Sequence, residues 1–304
     1  MSPTTPEFVP TAVRARLRDL RLAARRPSTS PGLGAHHSRS RGAGLEFSQY
    51  RSYQQGDDPR QIDWKLHARS DRWFVREAER DSPLEAWLVI DATGSMAQDD
   101  AARPGWSRLA AAKGIAACVI ELALRQGDRF GLVTIAGAGV DVVAAGAGPR
   151  QRNRCLLHLH RLQAGGRWPG TAGLRGVGDR IGVGTLVLML SDCFDDAFVE
   201  LAERLAAARR EVLTVQILTA EERDFPFRGG HRFEDPESGE SLLADAASAR
   251  PVFLERFGTA RRALAARLAG KGIRHVEFTL DQPLDAPLRR LFGPASASLG
   301  PERA

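Results

Sequence analysis

Long apolar runs are missing from this chain of 304 residues. The longest candidate, Leu186 to Leu190, is strand-length and far short of the ~20 residues that a membrane-spanning helix needs. The first helix-like stretch is broken by Arg14, Arg16, Arg18 and Arg21, so no signal-peptide core forms there. A cytoplasmic protein is the expectation. Cysteine is scarce: Cys118, Cys155 and Cys193 stand far apart with no CxxC spacing. That argues against a disulfide framework or a zinc ribbon and for reduced, buried thiols. Lysine is scarcer than composition would suggest, with only Lys65, Lys113 and Lys271 among the 43 basic residues. Aromatics amount to 7% and do not interleave with the arginines, so a single-strand nucleic-acid platform is not expected.

What is present is ordinary globular material, 43% hydrophobic and 26% charged, with a length that suits about two domains. The net charge of +6 is unevenly placed. Residues 1–80 hold 15 basic and 9 acidic side chains, which is the whole excess, and the remainder is balanced. A basic arm of this kind suits an acidic partner surface, phosphate or an anionic membrane surface. Within it, Val13, Leu17, Leu20 and Ala24 recur at helical spacing and predict an amphipathic helix from Thr11 to Arg26. A Pro/Ser/Gly linker follows to Ser40, and peripheral membrane contact stays open for this segment.

From residue 84 onward apolar strands alternate with amphipathic helices. Strands are predicted at 84–91, 129–137, 140–145, 186–192, 213–218 and 275–280. Helices are predicted at 107–128, 151–163, 198–210, 253–269 and 287–292. Strands that are apolar on both faces and separated by helices predict an α/β fold with an open, mostly parallel sheet covered by helices on both sides. An irregular N-terminal segment precedes it. The stretch 219–250 reads as a long charged insertion without elements of its own.

Ligands in such sheets bind beyond the carboxyl ends of the strands. Two strands end there in aspartate, Asp91 and Asp192. Asp91 opens the run Asp91-Ala92-Thr93-Gly94-Ser95-Met96, with hydroxyls two and four residues on. Thr171 lies in a glycine-rich loop, AGGRWPGTAG, able to bring a third hydroxyl over. Two carboxylates and three hydroxyls, without His or Cys, form a hard, all-oxygen donor set suited to Mg²⁺ or Mn²⁺. The bland alternatives are a capping role for Asp91 and an N-cap role for Ser95. Gly56-Asp57-Asp58-Pro59 reads as a turn, and the i,i+2 spacing of His158 and His160 places them on different helix faces.

Enzyme chemistry lacks players. Position 93 is threonine where a phosphatase built on Asp-x-Asp needs an acid, and no Gly-x-Ser-x-Gly elbow or P-loop is present. A metal-dependent hydrolase is therefore the least favoured reading. A metal-independent adaptor that works through its basic N-terminal segment stands between that and a metal-dependent binding module.

The run 91–95 resembles the metal-ion-dependent adhesion site, Asp-x-Ser-x-Ser, of von Willebrand factor A domains, with Thr93 in place of the first serine. Thr171 and Asp192 look like that site's distal threonine and aspartate. A second resemblance rests on Gly44-Leu45-Glu46-Phe47, on Arg51-Ser52-Tyr53-Gln54-Gln55-Gly56-Asp57-Asp58-Pro59-Arg60, on Ile62-Asp63-Trp64 and on Ala68-Arg69. These look like the signature of the domain of unknown function 58 family, which is von Willebrand factor A-like and associated with MoxR-type ATPases. The resemblance covers about residues 30–293. Beside the basic helix and linker read at 1–40, it implies a signature segment at 41–80 packed on the sheet and a von Willebrand factor A-like domain at 81–293, which leaves a tail at 294–304. It further implies a non-enzymatic interaction module with Asp91, Thr93, Ser95, Thr171 and Asp192 around Mg²⁺. Its implied partner is a MoxR-type AAA+ ATPase or that ATPase's substrate, in chaperone-like or maturation work. Many relatives carry membrane helices ahead of the signature, which this chain lacks.

Overall fold

The computed structural model describes residues 8–24, 47–54, 62–78 and 83–293, apart from 138, 170–173, 175, 235–238 and 240. The chain divides into two compact units, one of residues 30–83 and one of residues 1–29 with 84–304.

In the smaller unit, β1 (Phe47–Ser52) and β2 (Phe74–Ala78) pair antiparallel, and Ile62 bridges to Val75. Between them lies α2 (Trp64–Ser70), which begins where the Asp63 carboxylate accepts from the amides of Lys65 and Leu66, both at 3.0 Å. The ring of His67 stacks on Trp73 at 4.3 Å, and Trp64 meets Trp73 edge-on at 5.6 Å. The turn Gly56–Pro59 lies outside the described residues.

The larger unit is built on a six-stranded sheet. Its strands are β3 (Glu85–Asp91), β4 (Arg129–Ala136), β5 (Gly139–Gly146), β6 (Leu186–Ser191), β7 (Glu211–Leu218) and β10 (Arg274–Thr279). They stand in the order β10-β7-β6-β3-β4-β5, all parallel except β5, which returns from β4 as a hairpin. This is the open, mostly parallel sheet that the apolar strand runs predict. Side-chain alternation sorts the core into two layers. Leu88 and Ile90 face one way with α3 (Arg108–Gln126), α4 (Gly148–Arg161) and α9 (Ala286–Phe292). Trp87 and Val89 face the other, with α5 (Val177–Arg180), α6 (Asp196–Ala207) and the end of α8 (Ala246–Gly270). Helix α3 starts where Ser107 Oγ accepts from the amide of Ala110, and it stops at Gly127, whose φ of 76° suits a residue without Cβ.

Two expectations are corrected. The N-terminal helix, α1 (Thr11–Arg16), stops at Arg16 rather than continuing to Arg26. Its apolar stripe is nevertheless buried: Val9, Val13, Leu17, Leu20 and Leu22 all join the α3-side core. Past the helix Gln126 holds the chain, accepting from the Leu22 amide at 2.7 Å and giving its own N–H to the Leu22 carbonyl at 2.9 Å. Arg16 pairs with the buried Asp285 at 2.8 Å.

The stretch 219–250 is not featureless. It holds α7 (Ala220–Asp224), a hairpin of β8 (Gly230–Glu234) and β9 (Ser241–Asp245), and the first residues of α8. A reciprocal cap between Thr219 and Glu222 starts α7. Phe225 packs on Phe227, Phe233 and Phe253 with ring centroids 4.8 to 5.7 Å apart, which holds the insertion together. Helix α8 begins at an Asp245 cap, ahead of Pro251, rather than at Phe253.

Candidate functional site

The strand order reverses at β3. From it the chain runs out to β4 and β5 on one side, then returns to β6 on the other. Loops leaving β3 and β6 therefore head to opposite sides at their carboxyl ends, the position where doubly wound sheets bind ligands. Asp91 is the last residue of β3, and Ser191 is the last of β6, with Asp192 following.

The Asp91 carboxylate is fully buried. One oxygen accepts from the Thr93 amide at 2.9 Å and the Thr93 hydroxyl at 2.7 Å, so the chain must turn tightly after the strand. The other oxygen accepts from Ser191 Oγ at 2.6 Å. Thr93 Oγ1 lies 3.2 Å from Ser95 Oγ. A short 3₁₀ turn, Gly94–Ala97, carries Ser95, and Met96 anchors it in the core. Ser95 is thus not the cap of α3, a task that Ser107 performs.

The glycine-rich loop is clasped to this turn by backbone alone. The Gly165 amide donates to the Ala92 carbonyl at 2.9 Å, the Gly94 amide to Gly166 at 2.8 Å, and the Gly137 amide to Gly165 at 2.9 Å. A Cβ on Gly166 would lie 2.4 Å from Gly137 Cα, and its φ of 73° disfavours a side chain as well. Thr171, further along this loop, lies outside the described residues.

Asp192 is held differently. Arg108, the first residue of α3, has its side chain only 1% exposed and gives one N–H to Asp192 Oδ2 at 2.9 Å. The same guanidinium donates to the Ser95 carbonyl at 3.0 Å and forms an ion pair with Glu222 of α7. Its Nε finds no acceptor among the described residues. The Phe194 ring covers it at 5.2 Å while remaining half exposed itself. Asp100 accepts from the amides of Ala220 and Glu221 at 3.1 and 3.0 Å, which ties the β3 loop to α7.

Burial raises the Asp91 carboxyl to about 6, and the neighbouring Asp192 charge adds to this against the hydrogen bonds from Ser191 and Thr93. Among the described residues no cation contacts Asp91. Nor do three or more His, Cys, Asp or Glu side chains gather there as a metal cage, so a metal here would depend on hydroxyls. The 3.2 Å between the Thr93 and Ser95 oxygens is close to the ~3 Å separating adjacent corners of a Mg²⁺ octahedron with bonds of ~2.1 Å. The donor chemistry, one carboxylate and two hydroxyls, fits such an ion, and the same 3.2 Å also serves as a hydrogen bond between the two hydroxyls.

Sequence reasoning missed Ser191 and Arg108. Ser191 is adjacent to Asp192 in sequence, but its approach to Asp91 follows only from the pairing of β3 with β6. Arg108 gives no signal among so many arginines. His158, set aside as a ligand, meets the Thr134 hydroxyl at 2.8 Å, and burial lowers its pKa. Cys193 is buried, and burial together with Asp192 pushes its thiol well above the usual range.

Residues 49–263 match the family model described as protein of unknown function DUF58. The uncharacterized protein Rv1480 of Mycobacterium tuberculosis is 29% identical over 231 residues, covering 74% of this chain and 71% of the relative. The uncharacterized protein Mb1516 of Mycobacterium bovis matches to the same extent. Among solved structures, an aerotolerance-related membrane protein from Bacteroides fragilis aligns with a TM-score of 0.44 and 15% identity, over 68% of this chain and 95% of the other. The SpRpn10 VWA domain aligns with a TM-score of 0.38 and 13% identity, over 72% and 100%. No helix of the described residues is long and apolar enough to cross a membrane.

Proposed function

The chain belongs to the DUF58 family, and on that premise we propose that it is a non-enzymatic, von Willebrand factor A-like protein-interaction module whose contact point is a divalent-cation site at the β3/β6 strand ends. The observation that carries this reading is the buried Asp91 carboxylate. It is satisfied by hydroxyls and an amide only, beside two hydroxyl oxygens at octahedral spacing. A buried carboxylate without a cation is costly and tends to take up a proton, which is the direction seen at Asp91. A cation relieves the same cost.

Thr93 and Ser95 would offer hydroxyls to Mg²⁺, with Thr171 as a third, and Asp91 and Asp192 would supply the negative charge. When bound, the ion would offer an open position to a carboxylate of a partner protein. The chain's own residues preorganise the site: Thr93 and Ser191 orient Asp91, and the 165–166 clasp fixes the turn that carries Ser95. The proposed partner is a MoxR-type AAA+ ATPase or its substrate, met in the cytoplasm, in chaperone-like maturation. Against an enzyme stand the missing acid at Thr93 and the absence of a described histidine partner for Ser95, whose side chain meets Thr93.

The test is a Mn²⁺ titration followed by EPR, with Mg²⁺ competition. One saturable, Mg²⁺-competed site, lost in Asp91→Ala, is expected. Pull-down of the ATPase should fall with the same substitution, and unchanged capture would sink metal-dependent recognition of that partner. Because α1 is part of the core, a role for the basic segment is tested by reversing the charge of Arg18 and Arg21 rather than by deletion.

A further inference from the structure

The Arg108 guanidinium lies within the same constellation as the proposed cation, and no sequence pattern pointed to it. It is buried, it touches Asp192 and the carbonyl of Ser95, and its other end meets Glu222. Ser95 supplies a proposed ligand from its side chain while its backbone carbonyl is already engaged by a cation. Three carboxylates (Asp91, Asp192, Glu222) and one guanidinium leave the cluster with a formal charge of −2 when all are ionised. One divalent ion would neutralise it.

We propose that Arg108 is the internal counter-cation of this site, sharing Asp192 with an incoming metal ion and thereby holding metal affinity down, with Glu222 setting how strongly it does so. This rests on the cation-site reading above and adds a residue that tunes it. Three features support the role. A buried arginine normally satisfies all its N–H groups, whereas the Arg108 Nε is left without an acceptor among the described residues, so the side chain is not fully committed to its present partners. It reaches loops leaving three adjacent strands, β3 through Ser95, β6 through Asp192 and β7 through Glu222. Without it, Asp192 would lose the one cation that pairs with it among the described residues.

Charge sets the expected directions. Arg108→Gln takes the cluster from −2 to −3, and Glu222→Gln takes it to −1 while keeping an acceptor for the α7 cap. A unit charge ~6 Å from a divalent ion is worth about tenfold in affinity under water-like screening (ε ~80), and more where the site is drier. Mn²⁺ titrations by EPR are therefore made on the wild type, Arg108→Gln, Glu222→Gln and Asp91→Asn, with near-UV circular dichroism and a thermal melt for each. Arg108→Gln should bind Mn²⁺ about tenfold more tightly and regain thermal stability when Mn²⁺ is added. Glu222→Gln should bind about tenfold more weakly.

A purely structural role for Arg108 would loosen the site in both variants, so weakening in both overturns the proposal, as does a folded Arg108→Gln with wild-type affinity. If Arg108→Gln does not fold, Arg108→Lys keeps the charge: near-wild-type affinity there together with weakening in Glu222→Gln sustains the proposal, and a loss in Arg108→Lys matching that in Glu222→Gln overturns it. If the wild type shows no site that Asp91→Asn removes, the cation-site reading fails on its own. Arg108→Gln then decides the present proposal by gaining a site that requires Asp91, or by failing to.

Discussion

Two strand ends one hydrogen bond apart treat a buried carboxylate in opposite ways. At the end of β3, Asp91 is surrounded by hydroxyls and an amide and keeps its demand for positive charge. Just beyond β6, Asp192 is met by a buried guanidinium that also serves Glu222. The first arrangement is polar enough to keep the group in place, yet it leaves the charge to be balanced by a proton or an added cation. The second is balanced in part from within, one guanidinium being shared by two carboxylates. An end of the first kind has the stronger pull on an outside cation, and one of the second kind can share in it only in competition with its own arginine.

Breaking the β6 arrangement should have the largest effect. Arg108→Leu leaves Asp192 and Glu222 without their shared cation, and removing one partner of a buried pair costs about 3–5 kcal/mol, to be read in urea unfolding. Removing the charge from the β3 end should act with the opposite sign. The folded Asp91 carboxyl titrates at about 6 against an ordinary 3.8, so the folded state holds its proton more tightly than the unfolded one. The contribution of Asp91 to wild-type stability, in the absence of divalent ions, is then greatest below pH ~4 and declines as pH rises to about 6. Asp91→Asn should flatten that decline and gain up to about 3 kcal/mol at pH 7.5, as measured by thermal melts across pH. Added Mg²⁺ should stabilise the wild type and leave this variant unmoved. The smallest effect sharpens the contrast: Ser191→Ala removes a 2.6 Å hydrogen bond from Asp91, costs about 1–2 kcal/mol at pH 7.5 and moves the Asp91 titration further up, visible by carboxyl NMR.

The same contrast explains what the sequence could and could not tell. Leu88, Ile90, Val187 and Met189 lie in strands buried on both faces, so their apolar runs stand out, and an aspartate closing each run marks the ligand end of the sheet. Asp91, Thr93 and Ser95 are local in sequence, and the structure brings their oxygens together as their spacing suggests. Arg108 and Ser191 reach the site through tertiary placement, one by the start of a crossover helix and the other by strand pairing. No local pattern records either. The β8–β9 hairpin was illegible because its order comes from phenylalanines at 225, 227, 233 and 253, spread over a loop, a strand and a helix. The N-terminal helix was overextended for a related reason. Leu17 and Leu20 are buried as helical spacing suggests, but past the helix Leu22 takes its hydrogen bonds from a glutamine about a hundred residues away.

The glycine clasp has a consequence for the order in which the molecule assembles. Residues 92, 137 and 165–166 meet through backbone atoms alone, so their contact has no side chain to recruit it early by hydrophobic collapse. It closes only after β4 has paired with β3 and α4 has returned the chain across the sheet. The clasp itself, as distinct from the turn that Met96 anchors in the core, is therefore expected to close late. Loosening the clasp should quicken unfolding while leaving the rate of folding nearly as it was, so the site would be lost first and the sheet would outlast it.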